Sequence, residues 1–186
     1  MNATITAAST ALLSIDVQAS FEAAPYWRDD DLPAFRERYL ALASGTHRNG
    51  WPIVRILHEE DSGHFSRASG LVRPMDWVTD EPALEIFKGA HNAFTESGLD
   101  RWLRQRGIRR LVIAGIRTEQ CCETNTRIAS DLGYEVDFVT EATLTFPMTH
   151  ARSGTEYTPD DIKRRTELVL DGRFARIATV DEVLAR

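Results

Sequence analysis

The chain has 186 residues, of which 42% are hydrophobic and 27% are charged. These values are near globular averages, so they exclude wholesale disorder and fibrous repeats, and the length suits one domain over residues 1–186. The formal net charge of −6 argues against nucleic acid as a partner, because an acidic protein is not attracted to phosphate backbones. The longest apolar runs, such as 111–116, are far shorter than the roughly 20 residues that a membrane helix needs, so we expect no membrane partner.

The N-terminus and the cysteines indicate the cellular compartment. Residues 1–10 lack a basic segment followed by an apolar one, so we predict no secretory signal and a cytoplasmic location. The chain has two cysteines, Cys121 and Cys122. Adjacent cysteines cannot form a disulfide framework, and a bridge between them would be strained, so we expect both thiols to be reduced.

Short apolar segments alternate with helical patterns along the chain. In chain order we predict a strand at 11–15, a helix at 32–48, strands at 52–57 and 84–87, a helix at 98–106, a strand at 111–114, a helix at 119–132, a strand at 136–139, a helix at 159–170, a strand at 174–179 and a helix at 181–185. Continuously apolar strands indicate a sheet covered on both faces. The pattern therefore predicts an α/β fold: a doubly wound, mostly parallel six-stranded sheet with helices on both faces, a three-layer sandwich of Rossmann type.

Turn signals mark several element ends. Thr158, followed by proline and two aspartates, predicts a helix N-cap, and Gly107, Gly133 and Gly172 predict C′ positions. The segment 59–80 has no clear period, so we predict a long loop that is either a functional lid or a mobile linker.

Cys121 follows an apolar strand that ends in glycine. If Glu119 begins a helix, Cys121 lies in its first turn at the carboxyl edge of the sheet, where ligands bind in open α/β folds. The free N–H groups and the dipole of that helix would favour a thiolate, with Thr118 as the N-cap. On position alone, a small buried hydrophobic residue is the more common role for such a cysteine.

Two further reactive side chains follow predicted strands. Asp16 comes after the strand at 11–15 and Lys88 after the strand at 84–87. Either residue alone could be an ordinary loop residue at the surface. Together with Cys121 they supply a base, a cation and a nucleophile, provided that the sheet brings the three strand ends together.

Three motifs in this order resemble the isochorismatase-like cysteine hydrolases, the superfamily that includes nicotinamidases and N-carbamoylsarcosine amidohydrolase. They are "DVQASF" with Asp16, "KGAHNAF" with Lys88 and "GIRTEQC" with Cys121. The chain departs from the usual pattern at Ala19-Ser20, where relatives have Asn-Asp, at Asn92, where serine is frequent, and at Cys122, where valine is frequent.

The resemblance implies a catalytic triad of Asp16, Lys88 and Cys121. It implies that Asp16 accepts the thiol proton, that Lys88 supports charge, and that the sulfur attacks a small amide, carbamoyl or imide carbon to form a thioester acyl-enzyme, which water hydrolyses. The N–H groups of Arg117 and Cys121 would form the oxyanion hole, beside a non-proline cis peptide bond between Ile116 and Arg117. It also implies a homo-oligomer that acts on a small-molecule substrate without a cofactor.

A metal site is the main alternative within enzymes. His58, Glu59, Asp61 and His64 are metal-ligand types, but the Asp-X-His of metal-binding nicotinamidases is missing, so we predict no metal. We expect His58 to line the site or to fix the loop at 59–80. A metal-assisted nicotinamidase-type amidase and a catalytically silent relative that binds a ligand or a protein remain as alternatives.

Several residues could shape a substrate pocket. Arg117 stands where many relatives have a small residue, and it either binds a substrate carboxylate or pairs with Glu119 or Glu123. Aromatic residues are more often core than pocket, but some could face a ligand. The pocket candidates are Phe21, Trp27, His58, Phe65 and Arg117.

Overall fold

A computed structural model describes residues 9–95 and 97–186. The expectation about an N-terminal signal and the first eight residues of the predicted domain lie outside the described residues. The strands are β1 (Thr10–Ile15), β2 (Ile53–His58), β3 (Leu84–Lys88), β4 (Arg110–Ile116), β5 (Glu135–Leu144), β6 (Met148–Thr149), β7 (Glu156–Tyr157) and β8 (Arg176–Ile177). The helices are α1 (Leu32–Arg48), α2 (Leu99–Gln105), α3 (Glu123–Asp131), α4 (Pro159–Leu170) and α5 (Val180–Leu184).

The main sheet has six strands in the order β3-β2-β1-β4-β5-β8, and each neighbouring pair is parallel. The strand order reverses between β1 and β4, so the carboxyl ends of these two strands flank the crevice where doubly wound folds bind ligands. The predicted fold class is confirmed.

Helices cover both faces of this sheet. On one face, Phe35 and Tyr39 of α1 and Val183 of α5 belong to one buried apolar cluster. On the other, Leu103 of α2 and Ala129 of α3 belong to a second cluster, with Leu170 of α4. The strands between the two clusters are buried on both faces, which explains why their sequences are continuously apolar rather than alternating.

Three elements differ from the sequence-based prediction. The predicted strand at 174–179 is reduced to Arg176–Ile177, because Thr179 already caps α5 with its side chain. The predicted strand at 136–139 extends to Leu144 and has an irregular register with β4. Ile113 of β4 pairs with Phe138 and Gly115 pairs with Thr143, so β5 advances by five residues where β4 advances by two. The two-stranded antiparallel pair of β6 and β7 was not predicted.

The predicted helix ends are confirmed. Thr158 accepts a hydrogen bond from the Asp161 backbone N–H, and the Asp161 side chain accepts one in return from the Thr158 backbone, which completes a capping box. The three predicted C′ residues, Gly107, Gly133 and Gly172, all have positive φ angles.

Gly115 permits the closest approach of β4 to β1. Its φ of 133° is in a region that only glycine adopts readily, and a Cβ there would overlap the backbone oxygen of Ile15. Because Gly115 has no side chain, the end of β4 can lie directly against the end of β1. This close packing fixes the position of the turn that carries Cys121.

The segment 59–80 is tied to the chain that follows β1. Backbone hydrogen bonds join Ala19 N to Arg73 O and Met75 N to Val17 O, and the Ser20 hydroxyl donates to Leu71 O. Phe65 is buried. These contacts argue against a mobile linker, and the role of the segment as a functional lid stays a prediction. Among the described helices, none combines the length and apolar character needed to cross a membrane.

Candidate active site

Asp16, Lys88 and Cys121 meet at the carboxyl edge of the sheet. Lys88 Nζ donates to Asp16 Oδ2 at 2.8 Å and to Cys121 Sγ at 3.4 Å. The three residues are 0%, 3% and 6% exposed, so their contacts are almost fully shielded from water. The structure therefore brings together the three side chains that the sequence predicted at separate strand ends.

The sheet order explains why this cation is a lysine. Lys88 is the last residue of β3 and faces His58 of β2, whereas Asp16 follows β1, two strands away. Neighbouring strands are about 4.8 Å apart, so a side chain from β3 must cross about twice that distance to reach the group above β1. Lysine has a long flexible stem, and its compact ammonium can donate to several acceptors at once.

Asp16 has an unusual backbone conformation that aims its carboxylate. Its φ of 52° is positive, which is uncommon for a residue with a side chain, and its N–H donates to Ile56 O at 2.8 Å. Asp16 Oδ2 accepts from Lys88, whereas Oδ1 is buried without a hydrogen-bond partner among the described residues. The carboxylate therefore retains one free acceptor inside the site.

The electrostatics of the site favour a charged lysine and a neutral thiol at rest. Burial disfavours the Lys88 ammonium, but the Asp16 carboxylate and the hydrogen bonds to Asp16 and Cys121 outweigh it and raise the pKa of Lys88. Burial also raises the pKa of the Cys121 thiol far above its usual value, and the negative charge of Asp16 adds to the effect despite Lys88. The expectation that the helix start favours a resting thiolate was therefore wrong, because desolvation outweighs the dipole.

Cys121 lies on a wide helical turn rather than on a regular first turn. Thr118–Cys122 form a π-helical turn before α3, and Cys122 N–H donates to Arg117 O at 3.2 Å. The Thr118 hydroxyl donates to Thr143 Oγ1 at 2.8 Å, in the irregular part of β5. Thr118 was thus wrongly predicted as an N-cap: its side chain anchors the turn to β5 instead. Single π turns occur frequently at functional sites because they re-aim side chains.

Two side-chain amides that the sequence did not reveal as part of the site hold its segments together. The Gln18 side chain accepts from His58 N–H at 2.7 Å and donates to His58 O at 2.9 Å, which joins the ends of β1 and β2. Asn125 donates to Cys121 O at 2.7 Å and accepts from Ala93 N–H at 2.7 Å, which joins the cysteine turn to the chain after Lys88. The spacing of Asn125, one helical turn after Cys121, was the available signal.

His58 contacts Lys88 at the edge of the candidate site. Its Nδ1 lies 3.3 Å from Lys88 Nζ, so Nδ1 accepts and the proton is on Nε2. Burial and the adjacent ammonium lower the pKa of His58, which keeps the imidazole neutral. Within 9–95 and 97–186, no group of three or more His, Cys, Asp or Glu side chains could hold a metal ion. Instead, Glu59 pairs with Arg67 and the ring of His64 packs on Phe65.

An aromatic layer backs the site. The ring of Phe21 contacts the rings of Phe65 and Phe146 at centroid distances of 5.0 and 6.3 Å, and Tyr26 and Trp27 contact Phe146 at 5.5 and 5.3 Å. Phe21 and Phe65 are buried core residues, so they support the site more than they line it. Tyr26 and Phe146 were not among the pocket candidates.

Arg117 pairs with Glu119, one of the two alternatives for its side chain. Its Nη2 lies 3.0 Å from Glu119 Oε1, and its guanidinium carbon lies 5.1 Å from the ring centroid of Tyr26. Glu123 is engaged elsewhere, with Arg127 and Arg165 of neighbouring turns. The peptide bond between Ile116 and Arg117 is cis, at the position that the motif indicated.

Residues 10–159 match the family model described as the isochorismatase domain. The chain is 26% identical over 182 residues to YrdC, an isochorismatase family protein of Bacillus subtilis, with 94% of each chain covered. A solved putative hydrolase of the isochorismatase family from Chromobacterium violaceum is 26% identical, with a TM-score of 0.87 and coverage of 100% of this chain and 97% of that one. A cysteine hydrolase from Pseudomonas syringae, at 18% identity, shares the fold with a TM-score of 0.88 over 100% of this chain and 97% of its own. The chain therefore belongs to the isochorismatase family and has the fold of its hydrolases.

Proposed function

We propose that this protein is a cysteine hydrolase that cleaves a C–N bond in a small amide, ureido or imide compound through a thioester acyl-enzyme. The observation that carries the proposal is the pair of contacts from Lys88 Nζ to Asp16 Oδ2 and Cys121 Sγ in a buried site. A buried acid, cation and thiol in mutual contact are expensive to maintain for stability alone, and such clusters of perturbed groups are typical of active sites.

The first half-reaction forms the acyl-enzyme. Because the pKa of Cys121 is raised, the thiolate forms only as the sulfur attacks, and the free Oδ1 of Asp16 accepts the proton. Lys88 stabilises the negative charge on sulfur and carboxylate during this transfer. The N–H groups of Arg117 and Cys121 receive the oxyanion, the C–N bond breaks, and the proton on Asp16 passes to the departing nitrogen.

The second half-reaction regenerates the thiol. Asp16 takes a proton from a water molecule, the oxygen attacks the thioester carbon, and the C–S bond breaks. The proton on Asp16 then passes to the sulfur, so Asp16 gives up in each half-reaction the proton that it accepted there, and the cycle consumes one water molecule. The neutral His58 beside Lys88 adds no positive charge that would compete with this transfer.

A screen for product release tests the proposal. Ammonia release from amides and ureido compounds, and acid release from imides, would be measured with the wild type, Cys121→Ala and Asp16→Asn. Cys122→Ala is the matched control, since Cys122 is a neighbouring buried thiol and no hydrogen bond among the described residues joins its side chain to Lys88 or Asp16. We expect a loss of at least about a hundredfold in the first two variants and retention in the control. Equal turnover in wild type and Cys121→Ala would refute the proposal.

The metal-assisted alternative lacks a donor set among the described residues, because His58 contacts Lys88 and Glu59 contacts Arg67. Activity that survives exhaustive chelation would agree with the proposal, whereas activity restored only by a divalent ion would favour the metal-assisted reaction. The homo-oligomer and the cytoplasmic location stay predictions, which sedimentation velocity and cell fractionation would test.

A further inference from the structure

Arg117, which precedes the turn that carries Cys121, is paired with a carboxylate of that turn. Arg117 and Glu119 both precede Cys121, and Arg117 Nη2 lies 3.0 Å from Glu119 Oε1. The two side chains are 10% and 11% exposed, so solvent screens their interaction weakly. An arginine at this position would otherwise be an anion-binding group within the site.

Surrounding contacts hold both members of the pair in place. The guanidinium carbon of Arg117 lies 5.1 Å from the ring centroid of Tyr26 and 5.6 Å from that of Phe146, which restricts the guanidinium to the space between them. Glu119 Oε2 accepts from the Thr145 hydroxyl at 2.6 Å. The glutamate is therefore anchored independently of the arginine and does not swing away easily.

The pair lies near the nucleophile along the chain, since Glu119 and Arg117 stand two and four residues before Cys121. Tyr26, which contacts the guanidinium, is 37% exposed, and the partial burial of its phenol raises the pKa of that group. The charge of Arg117 lowers that pKa, while the carboxylates of Glu60 and Glu119 raise it. The aromatic layer also connects the pair to the site: Phe146, which contacts the Arg117 guanidinium, packs on Phe21, Phe21 packs on Phe65, and Phe65 packs on His58 beside Lys88.

We infer that the Arg117–Glu119 pair selects substrates that are uncharged next to the scissile bond, and that Glu119 prevents Arg117 from binding a substrate carboxylate. This inference rests on the proposed function and deepens it. With Asp16 balanced by Lys88 and Arg117 balanced by Glu119, the inner site has no net charge to offer an anion. The substrate class is a neutral amide, ureido compound or imide rather than a carbamoyl or amido acid.

Two alkylating reagents of nearly equal size test the inference without a known substrate. Iodoacetamide is neutral and iodoacetate is anionic, and both would alkylate Cys121. Peptide mass spectrometry would follow the alkylation of Cys121 over time by each reagent. The measured quantity is the rate constant for iodoacetate divided by that for iodoacetamide. Glu119→Gln keeps the shape and the acceptor for Thr145 but removes the charge, so we expect this ratio to rise about tenfold at low salt and less at high salt.

Matched variants distinguish an effect of the Arg117–Glu119 pair from the general effect of removing one negative charge near the site. Glu60→Gln removes another carboxylate that affects the pKa of Tyr26. The Glu60 side chain is 56% exposed and pairs with His58 rather than Arg117, so we expect the alkylation ratio to change by less than about threefold. Arg117→Gln should lower the ratio, because Glu119 is then unbalanced. The double variant Arg117→Gln/Glu119→Gln should return to within about twofold of the wild type, because both charges are gone.

Each outcome bears on a distinct statement. An unchanged ratio in Glu119→Gln, or an equal rise in Glu60→Gln, would overturn the inference and leave the cysteine mechanism intact. Failure of iodoacetamide, the neutral reagent, to modify Cys121 in the wild type would overturn both the nucleophile and the inference. Should Glu119→Gln unfold, the fall in Arg117→Gln and the recovery in the double variant still decide the question.

Discussion

Replacing Lys88 with methionine removes the cation that donates to both Asp16 and Cys121. Methionine keeps most of the length and the apolar stem, so the loss is mainly one of charge. The Asp16 side chain is fully buried and the Lys88 side chain is 1% exposed, so water cannot replace the missing ammonium without a rearrangement of the site. The variant therefore leaves a buried carboxylate without its counter-ion.

The size of the effect follows from the geometry. At 2.8 Å and an effective dielectric constant of about 20, two unit charges attract by about 6 kcal/mol before desolvation is subtracted. Removal of one partner from a buried pair typically costs about 3–5 kcal/mol, so we expect the free energy of unfolding of Lys88→Met to fall by about that amount. The double variant Asp16→Asn/Lys88→Met removes both charges, and we expect it to be about 2 kcal/mol more stable than Lys88→Met.

Urea denaturation followed by tryptophan fluorescence would measure these differences, since the chain has four tryptophans. Lys163→Met is the matched control, because it makes the same chemical change at a half-buried position on α4. A loss below about 1 kcal/mol in Lys88→Met, or a double variant no more stable than the single one, would refute a tightly coupled buried pair.

Further predictions follow from neighbouring features of the site. Gly115→Ala should lower the free energy of unfolding by at least about 3 kcal/mol in the same urea assay, since its Cβ would overlap Ile15, and near-wild-type stability would show that β4 can shift. Because burial raises the pKa of Cys121, the thiolate absorbance at 240 nm should not differ between wild type and Cys121→Ala from pH 6 to about 9, where an unperturbed thiol would titrate; a step in that range would contradict the neutral resting thiol. Asn125→Ala should slow acylation more than about tenfold with a smaller change in KM, because it frees Cys121 O and Ala93 N–H; an unchanged kcat would show that the turn holds its position alone.

Local patterns in the sequence were sufficient for the architecture and for finding three reactive side chains, Asp16, Lys88 and Cys121, that meet at one edge of the sheet. Alternating apolar strands and helical periods depend on burial along each element, so they predicted the six strands of the sheet, and Thr158 and Gly133 marked element ends through their own backbone preferences. Asp16 and Lys88 were found because a polar residue that ends an apolar strand stands out from its neighbours.

Contacts between distant segments decided the conformation of the turn that carries Cys121. The π turn at Thr118 depends on a hydrogen bond to Thr143 in the irregular part of β5, and this contact is not visible in a window of neighbouring residues because Thr143 lies far along the chain. The early end of β8 is different: Thr179 and Glu182 form a capping box for α5, a local signal that the strand prediction overlooked.

The sequence by itself determined which reactive groups the protein has and on which edge of the sheet they stand. Only the tertiary structure decided their protonation and the pairing of Arg117 with Glu119. The physical reason is that sequence position places a residue at a helix start and so reveals the helix dipole, whose electrostatic effect is small. Desolvation and ion pairing depend on all the segments packed around a group, and sequence position does not reveal these. At Cys121 the desolvation dominates, so the resting sulfur is a thiol.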